Sequence, residues 1–317
     1  MRKMKRILIT GGAGFLGSQL ANRLEAESYQ VVLLDLLWPT SAFKDGPERQ
    51  EQAICFTGDI LDYALLNDVV SRYEVDAIVH LATWLTADCQ RDPIGAVEVN
   101  CLGTTNIFTL AARNLVRRVI FGSSVAVFAA DPALPTGDSR PYGPSSVYGA
   151  TKLFAEQLAV TMRATQSDLD IVGLRFGWIY GPGRVRGWND MQAVIEGFAL
   201  EQPLVKYPDY QKANDWTYVD DAVEAIVRCL NLPSSSTAAF NVSGDYRPIQ
   251  DAINHLSRRF PDIRSEPYSA ELPAVGWNFT SDAITKETGF SYRISLEGGL
   301  DRTVNSLRSD HGLSPIC

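Results

Sequence analysis

Short, fully apolar runs recur along the first two-thirds of the chain, at 7–9, 31–34, 53–56, 77–81, 119–121 and 171–174. Segments with helical periodicity stand between them, among them 61–73, 93–114 and 145–165, the last with Ser145 after Pro144 as its expected N-cap. A strand with one wet face alternates polar and apolar residues. Uninterrupted apolar strands separated by helices therefore predict a parallel sheet covered on both faces. The fold class that follows is α/β, a doubly wound parallel sheet.

The rhythm changes after Gly177. Residues 181–189 read as loop, and 190–201 as a helix that ends before Pro203. A last α/β unit follows, with a helix at 220–230 and a strand at 239–242, then helical segments at 250–260 and 296–307. The expected division is a sheet domain from 1–176 and 210–242 and a smaller C-terminal domain from 177–209 and 243–317. No internal repeat is present, and Ser234–Ser236 reads as a surface loop.

Composition narrows the function. The 317 residues accommodate about two domains at roughly 150 residues each. With 45% hydrophobic and 21% charged residues, the chain is neither disordered nor fibrous. A net charge of −8 argues against a nucleic-acid partner, because phosphate-backbone binding needs a basic face. The cysteines (Cys55, Cys89, Cys101, Cys229, Cys317) form no Cys-x-x-Cys pair, so neither a zinc site nor a disulfide framework is expected, and a reducing cytoplasm is. Nothing approaches the roughly 18 apolar residues of a membrane span, and the best run, 31–38, is broken by Asp35. Residues 7–9 are too short for the apolar part of a secretory signal.

The run TGGAGFLG at 10–17 lies between the first predicted strand and the first helix. Gly11, Gly14 and Gly17 permit a tight turn, close approach to a pyrophosphate, and tight helix packing, while the helix N-terminus offers free N–H groups. Asp35 ends the second strand, 24 residues beyond Gly11. A carboxylate there accepts both adenosine-ribose hydroxyls and repels a 2′-phosphate, and Leu36 and Leu37 supply no cation. The expected cofactor is NAD rather than NADP. The larger domain is then NAD-binding and the smaller binds substrate.

Tyr148 and Lys152 stand four apart on a predicted helix and share one face. A phenol with an ordinary pKa near 10 is a poor base at neutral pH, and a neighbouring ammonium favours its phenolate. Such a tyrosine can remove a hydroxyl proton as hydride leaves the same carbon. Ser123 and Ser124 end the fifth strand, at the edge where open α/β sheets bind ligands, and a serine there can hold the substrate oxygen.

With these residues in place the chain resembles the extended short-chain dehydrogenases/reductases, and within them the NAD-dependent epimerase/dehydratase group that includes nucleotide-sugar epimerases. The resemblance runs nearly end to end: TGGAGFLG, Asp35, Gly58-Asp59-Ile60, His80-Leu81-Ala82, Asn100, Ser123-Ser124, YGATK at 148–152, Leu174-Arg175, Tyr180-Gly181-Pro182-Gly183, Asp215 to Asp221, Phe240-Asn241-Val242 and the closing 288–300. It implies a Rossmann-type fold, with Tyr148 as catalytic acid/base, Lys152 on the nicotinamide ribose, and Ser124 rather than Ser123 orienting substrate. It places Gly11, Gly14, Phe15, Leu16, Gly17, Asp35, Asp59, Ile60, Leu81, Ala82 and Asn100 along the cofactor. His80 reads as a packed strand-end histidine. Helices at 93–114 and 145–165 imply a homodimer.

Departures from the family pattern bear on substrate. Dehydratases carry an acidic pair after the position of Ser124, where this chain has Val125 and Ala126, so 4,6-dehydration is not expected. Nucleotide-sugar epimerases usually have Asn at the position of Trp178 and Arg at that of Asn214, both contacting the sugar diphosphate. Losing an arginine fork at a diphosphate removes a strong charge-assisted bond. Arg184 and Arg186 read as replacement cations, as carboxylate ligands, or as solvated loop charges; Lys206 and Lys212 are equally open. Trp84, Trp178 and Trp188 read as an apolar substrate wall or as core. The first expectation is an epimerase acting on a sugar or nucleotide sugar. The alternative is a dehydrogenase of a non-nucleotide sugar, uronate or other secondary alcohol that releases NADH. A third, non-catalytic dinucleotide-binding protein, predicts a damaged Ser/Tyr/Lys set, which is intact here.

Overall fold

Each of the six apolar runs becomes a strand of one parallel sheet. The computed structural model describes residues 6–38, 53–129, 137–138, 141–166, 168–187, 190–209, 213–270 and 278–316. In chain order, β1 (Arg6–Thr10) leads to α1 (Phe15–Ala26), β2 (Gln30–Asp35) and β3 (Ile54–Thr57). Then come α2 (Tyr63–Arg72), β4 (Ala77–His80) and α3 (Thr86–Arg91). A helical stretch follows: α4 (Pro93–Ala96), a π-helical segment (Val97–Gly103) and α5 (Thr104–Arg113). β5 (Arg118–Ser124) ends in one tight helical turn, Val125–Val127, before α6 (Val147–Thr165) and β6 (Asp170–Phe176).

The remainder comprises β7 (Trp178–Tyr180), α7 (Asp190–Ala199), β8 (Leu204–Pro208), β9 (Ala213–Tyr218), α8 (Val219–Leu230) and β10 (Ala239–Val242). After these lie β11 (Asp245–Pro248), α9 (Ile249–Arg259), β12 (Arg264–Tyr268), α10 (Asp282–Thr288) and α11 (Leu296–Asp310).

The main sheet has seven parallel strands in the order β10-β6-β5-β4-β1-β2-β3. Strand order reverses between β1 and β4, which leaves a crevice beyond their carboxyl ends. Alternate residues feed opposite layers, as the two-residue strand period requires. Ile7, Ile9, Val31, Leu33 and Val79 pack with α1 and α8 residues such as Leu20, Leu24, Ile226 and Leu230. Leu8, Val32, Leu34 and Ile78 pack on the other face with Leu66, Val69, Ile107 and Ala155 of α2, α5 and α6. Both faces are dry, which is why the strands show no polar alternation.

Strands β7, β9 and β11 form a second sheet, and β8 pairs with β12. These short strands carry no long apolar run and are absent from the periodicity reading. Their core is aromatic: the rings of Trp178 and Trp216 lie 4.7 Å apart edge to face, with Tyr180 5.5 Å from each. Among the described residues, no helix is long and apolar enough to cross a membrane, no group of His, Cys, Asp and Glu is arranged to hold a metal, and Cys89, Cys101 and Cys229 are free thiols.

Candidate active site

The glycine run turns at the carboxyl end of β1. Gly11 has φ +72 and a Cβ there would lie 2.7 Å from the Ala82 amide nitrogen, so only glycine lets the turn sit against the strand-end loop of Leu81 and Ala82. A Cβ on Gly17 would collide with the Gly11 carbonyl, so α1 can begin directly on the turn. Gly14 opens α1 in an extended conformation without a side-chain cap, and a Cβ there would meet only the Gly11 backbone. The uncapped first turn, which includes Phe15 and Leu16, therefore presents N–H groups beside open space, a setting suited to a pyrophosphate.

Asp35 closes this cradle. Its Oδ2 accepts from the Ala13 amide at 3.0 Å and its Oδ1 from that of Leu37 at 3.4 Å. The carboxylate holds the glycine turn and keeps lone pairs for ribose hydroxyls. Asp59 is half-buried and accepts from the Leu61 amide at 2.9 Å, whereas Ile60 is packed against the backbone of Gly103. The residues present thus fit a dinucleotide.

Across the crevice, α6 delivers Tyr148 and Lys152. Its N-cap is Ser146, not Ser145: Ser146 is extended and its Oγ accepts from the Gly149 amide at 3.0 Å. A capping oxygen must face the amide three residues on, and only Ser146 stands at that distance from Gly149. Gly149 itself abuts the Ala126 carbonyl, where a Cβ has no room. That contact brings the start of α6 down onto the turn after Ser124 and places Tyr148 beside it.

Burial pushes the half-buried Tyr148 phenol up to about 12; the Ser124 hydroxyl and the Arg184 guanidinium pull it down, and the Cys89 thiol pushes it up. Lys152 was expected to supply the cation. Its Nζ instead donates to the Gly122 carbonyl at 2.7 Å, lies 5.5 Å from the Tyr148 ring centroid, and is lowered by burial to about 8. In this arrangement the charge opposing burial at the phenol comes from Arg184.

The two serines are separated by their partners. Ser123 Oγ donates to Glu156 at 2.5 Å, and Glu156 also receives both Nε and Nη2 of Arg175 at 2.8 Å. Ser124 Oγ accepts from the Ala126 amide at 3.2 Å, and its hydroxyl also bonds the Tyr148 phenol. Val125 is buried in the turn that follows.

Asn100, on the π-helical segment, does not lie open along the crevice. Its Oδ1 accepts from the Trp84 amide at 2.7 Å and Thr83 Oγ1 at 3.0 Å, and its Nδ2 donates to the Trp84 carbonyl at 3.0 Å and Thr151 Oγ1 at 3.1 Å. These bonds make Asn100 a clamp joining the loop after β4 to α6. His80 is buried between Thr10 and Thr104 hydroxyls at 2.7 and 3.0 Å and lowered to about 3 by burial, which makes it a neutral packed residue.

The remaining candidates divide. Arg184 is half-buried near the phenol, while Arg186 and Lys206 are exposed. Trp178 is core, Trp84 is half-buried against Gly95, and Asn214 is buried with an Nδ2 that has no partner. Trp188 and Lys212 lie outside the described residues. Gly149 and Glu156, which set the site's geometry, carry no chemical signature in a single sequence.

Sheet order, cradle and polar edge define a Rossmann-type dinucleotide-binding α/β protein. Residues 7–243 match the model of the NAD dependent epimerase/dehydratase family, and the chain belongs to that family. NAD is the cofactor that this membership assigns. The chain is 32% identical to a UDP-glucose 4-epimerase of Mycolicibacterium smegmatis, over 96% of this chain and 99% of that one. Its fold is similar to L-threonine 3-dehydrogenase of Trypanosoma brucei (TM-score 0.88, 20% identity, 99% and 100% of the two chains). It is also similar to UDP-glucose 4-epimerase of Thermus thermophilus in complex with NAD (TM-score 0.83, 23% identity, 96% and 99%).

Proposed function

We propose that this chain is an epimerase-type oxidoreductase that transiently oxidises a secondary alcohol of a sugar or nucleotide sugar. The observation that carries the reading is the seating of Gly149 on Ala126, which sets the Tyr148 phenol beside Ser124 at the sheet's carboxyl edge. Bound NAD supplies an oxidised, positively charged nicotinamide that accepts a hydride. Ser124 Oγ holds the substrate oxygen, and Tyr148 removes its proton. Tyr148 returns that proton when the carbonyl carbon is reduced on its opposite face. Lys152 holds the ribose side, and Asp35, Asp59, Leu81 and Ala82 line the adenosine and phosphate side.

A second reading, a dehydrogenase that releases NADH, is favoured by Asn214. Its neutral, buried amide stands where an arginine would hold a diphosphate. Dehydration is disfavoured, because Val125 and Ala126 cannot transfer protons.

The experiment is incubation with NAD and a panel of nucleotide sugars, free sugars and uronates, following NADH and product stereochemistry. A new stereoisomer without net NADH supports the epimerase, and stoichiometric NADH the dehydrogenase. Tyr148→Phe should lower turnover about 10²-fold or more with little change in NAD affinity; undiminished turnover refutes the assignment.

A homodimer is part of the proposal. Ile94, Val97 and Leu102 are exposed by 75%, 54% and 52%, and Phe154 and Val160 of α6 by 42% and 48%. Such a row is suited to a matching copy. Light scattering of Phe154→Glu should report a shift toward monomer.

A further inference from the structure

We infer that Arg184 recognises a carboxylate, and that the alcohol oxidised beside it belongs to a sugar acid rather than a neutral sugar. This rests on the reading of Tyr148 above.

Half-buried Arg184 is set apart from the arginines with buried side chains. Arg118, Arg175 and Arg308 each pair with a carboxylate, on Asp170, Glu156 and Glu201, at 3.0, 2.8 and 2.7 Å. Among the described residues Arg184 has no ion pair. Its Nη1 donates to the Ile179 carbonyl, and its guanidinium lies over Trp178 and Phe15, at 5.6 and 6.0 Å from their centroids. Its Nε is out of reach of solvent and has no acceptor. A buried donor left unsatisfied costs stability, and a charged one more, so an unpaired cation with a buried Nε marks a place where a ligand brings the partner.

The geometry selects the ligand. Nη1 is engaged by the backbone, so the donors without a protein acceptor are Nε and Nη2, the side of a guanidinium that grips a carboxylate with two parallel bonds once the groups now closing Nε off from solvent move aside. Gly187 lies alongside: a Cβ there would stand 2.9 Å from Nη2. The location ties recognition to chemistry: the guanidinium lies over Phe15 in the first turn of α1, beside the cofactor cradle, and it and the Tyr148 phenol influence each other's ionisation. An anion on Arg184 is therefore close to the reacting alcohol. One half-buried cation balances one negative charge; Arg186 and Lys206 are exposed and Asn214 is neutral, so the set suits a monoanionic carboxylate better than a diphosphate.

The test is calorimetric titration of Tyr148→Phe protein loaded with NAD, using matched pairs: D-glucuronate and D-glucose, D-galacturonate and D-galactose, UDP-glucuronate and UDP-glucose. At least one acid should bind about tenfold or more tightly than its neutral partner. The free and UDP-linked arms distinguish a bare from a nucleotide-linked acid. Adding Arg184→Met should bring that ratio close to one. Arg184→Lys, which keeps the charge without the fork, should fall between and serves if the methionine variant does not fold. Equal binding within every pair, or no binding of any acid, overturns the proposal. So does Arg184→Met weakening NAD with the acid preference intact, which would assign the guanidinium to the cofactor's phosphates. Turnover of an acid by Tyr148→Phe would overturn the role of Tyr148 and leave the anion site standing.

Discussion

Ser123 Oγ donates to the Glu156 carboxylate at 2.5 Å, and this bond distinguishes two adjacent serines that share one strand end. With Ser123 tied to α6, Ser124 is the hydroxyl left facing Tyr148. The same carboxylate is paired with Arg175, whose side chain is 3% exposed against 1% for Glu156. The Arg175 guanidinium also lies 4.9 Å from the Phe128 ring centroid. One buried ion pair therefore joins β5, β6 and α6 directly beneath the site.

Removing half of a buried pair strands the other charge. Glu156→Ala is expected to destabilise the protein by about 3–5 kcal/mol, read by urea denaturation. A loss below about 1 kcal/mol would mean that Arg175 finds other partners.

The cradle's packing is testable at Gly17. A methyl there lands on the Gly11 carbonyl, so Gly17→Ala should cost about 1–3 kcal/mol by overpacking. Moving α1 off the turn should also weaken NAD binding about tenfold or more, followed by fluorescence titration. Wild-type affinity in this variant would show that the close approach is dispensable.

Cofactor choice is assigned to Asp35. NAD should bind at least about tenfold tighter than NADP, because a carboxylate beside a 2′-phosphate is repelled. Asp35→Asn should narrow that ratio. Tighter binding of NADP by the unaltered protein would contradict the role of this carboxylate.

Asp215 gives stability a pH dependence. It is buried, receives Thr217 Oγ1 and the Gly244 amide at 2.7 Å each, and is raised by burial from 3.8 to about 7. The unfolded chain loses this proton at lower pH than the folded one. Its contribution is therefore complete below about pH 4, declines as pH rises to about 7, and is flat above. Asp215→Asn should remove that decline, by at most about 4 kcal/mol, when urea midpoints of the two proteins are compared at pH 4.5 and 8. Parallel curves would show that Asp215 is ionised in the folded protein throughout.

The main sheet was legible because burial on both faces leaves an unmistakable trace: six apolar runs at helix-length intervals. The cradle was legible for a related reason, since a pyrophosphate-binding turn needs glycine at set positions and a carboxylate at the next strand end. The second sheet left no such trace; strands of three to six residues built around Trp178, Tyr180 and Trp216 follow no period that a single sequence displays. Contacts between distant segments were settled only by folding. Ser146 rather than Ser145 caps α6 because Gly149 docks on Ala126, and Asn100 is clamped because Trp84 and Thr151 converge on it. Arg184 stood in the sequence as one of several loop cations. Tertiary packing buried its Nε beside the phenol and left it without a carboxylate, because charge and burial are pairwise properties of residues that the chain order keeps apart.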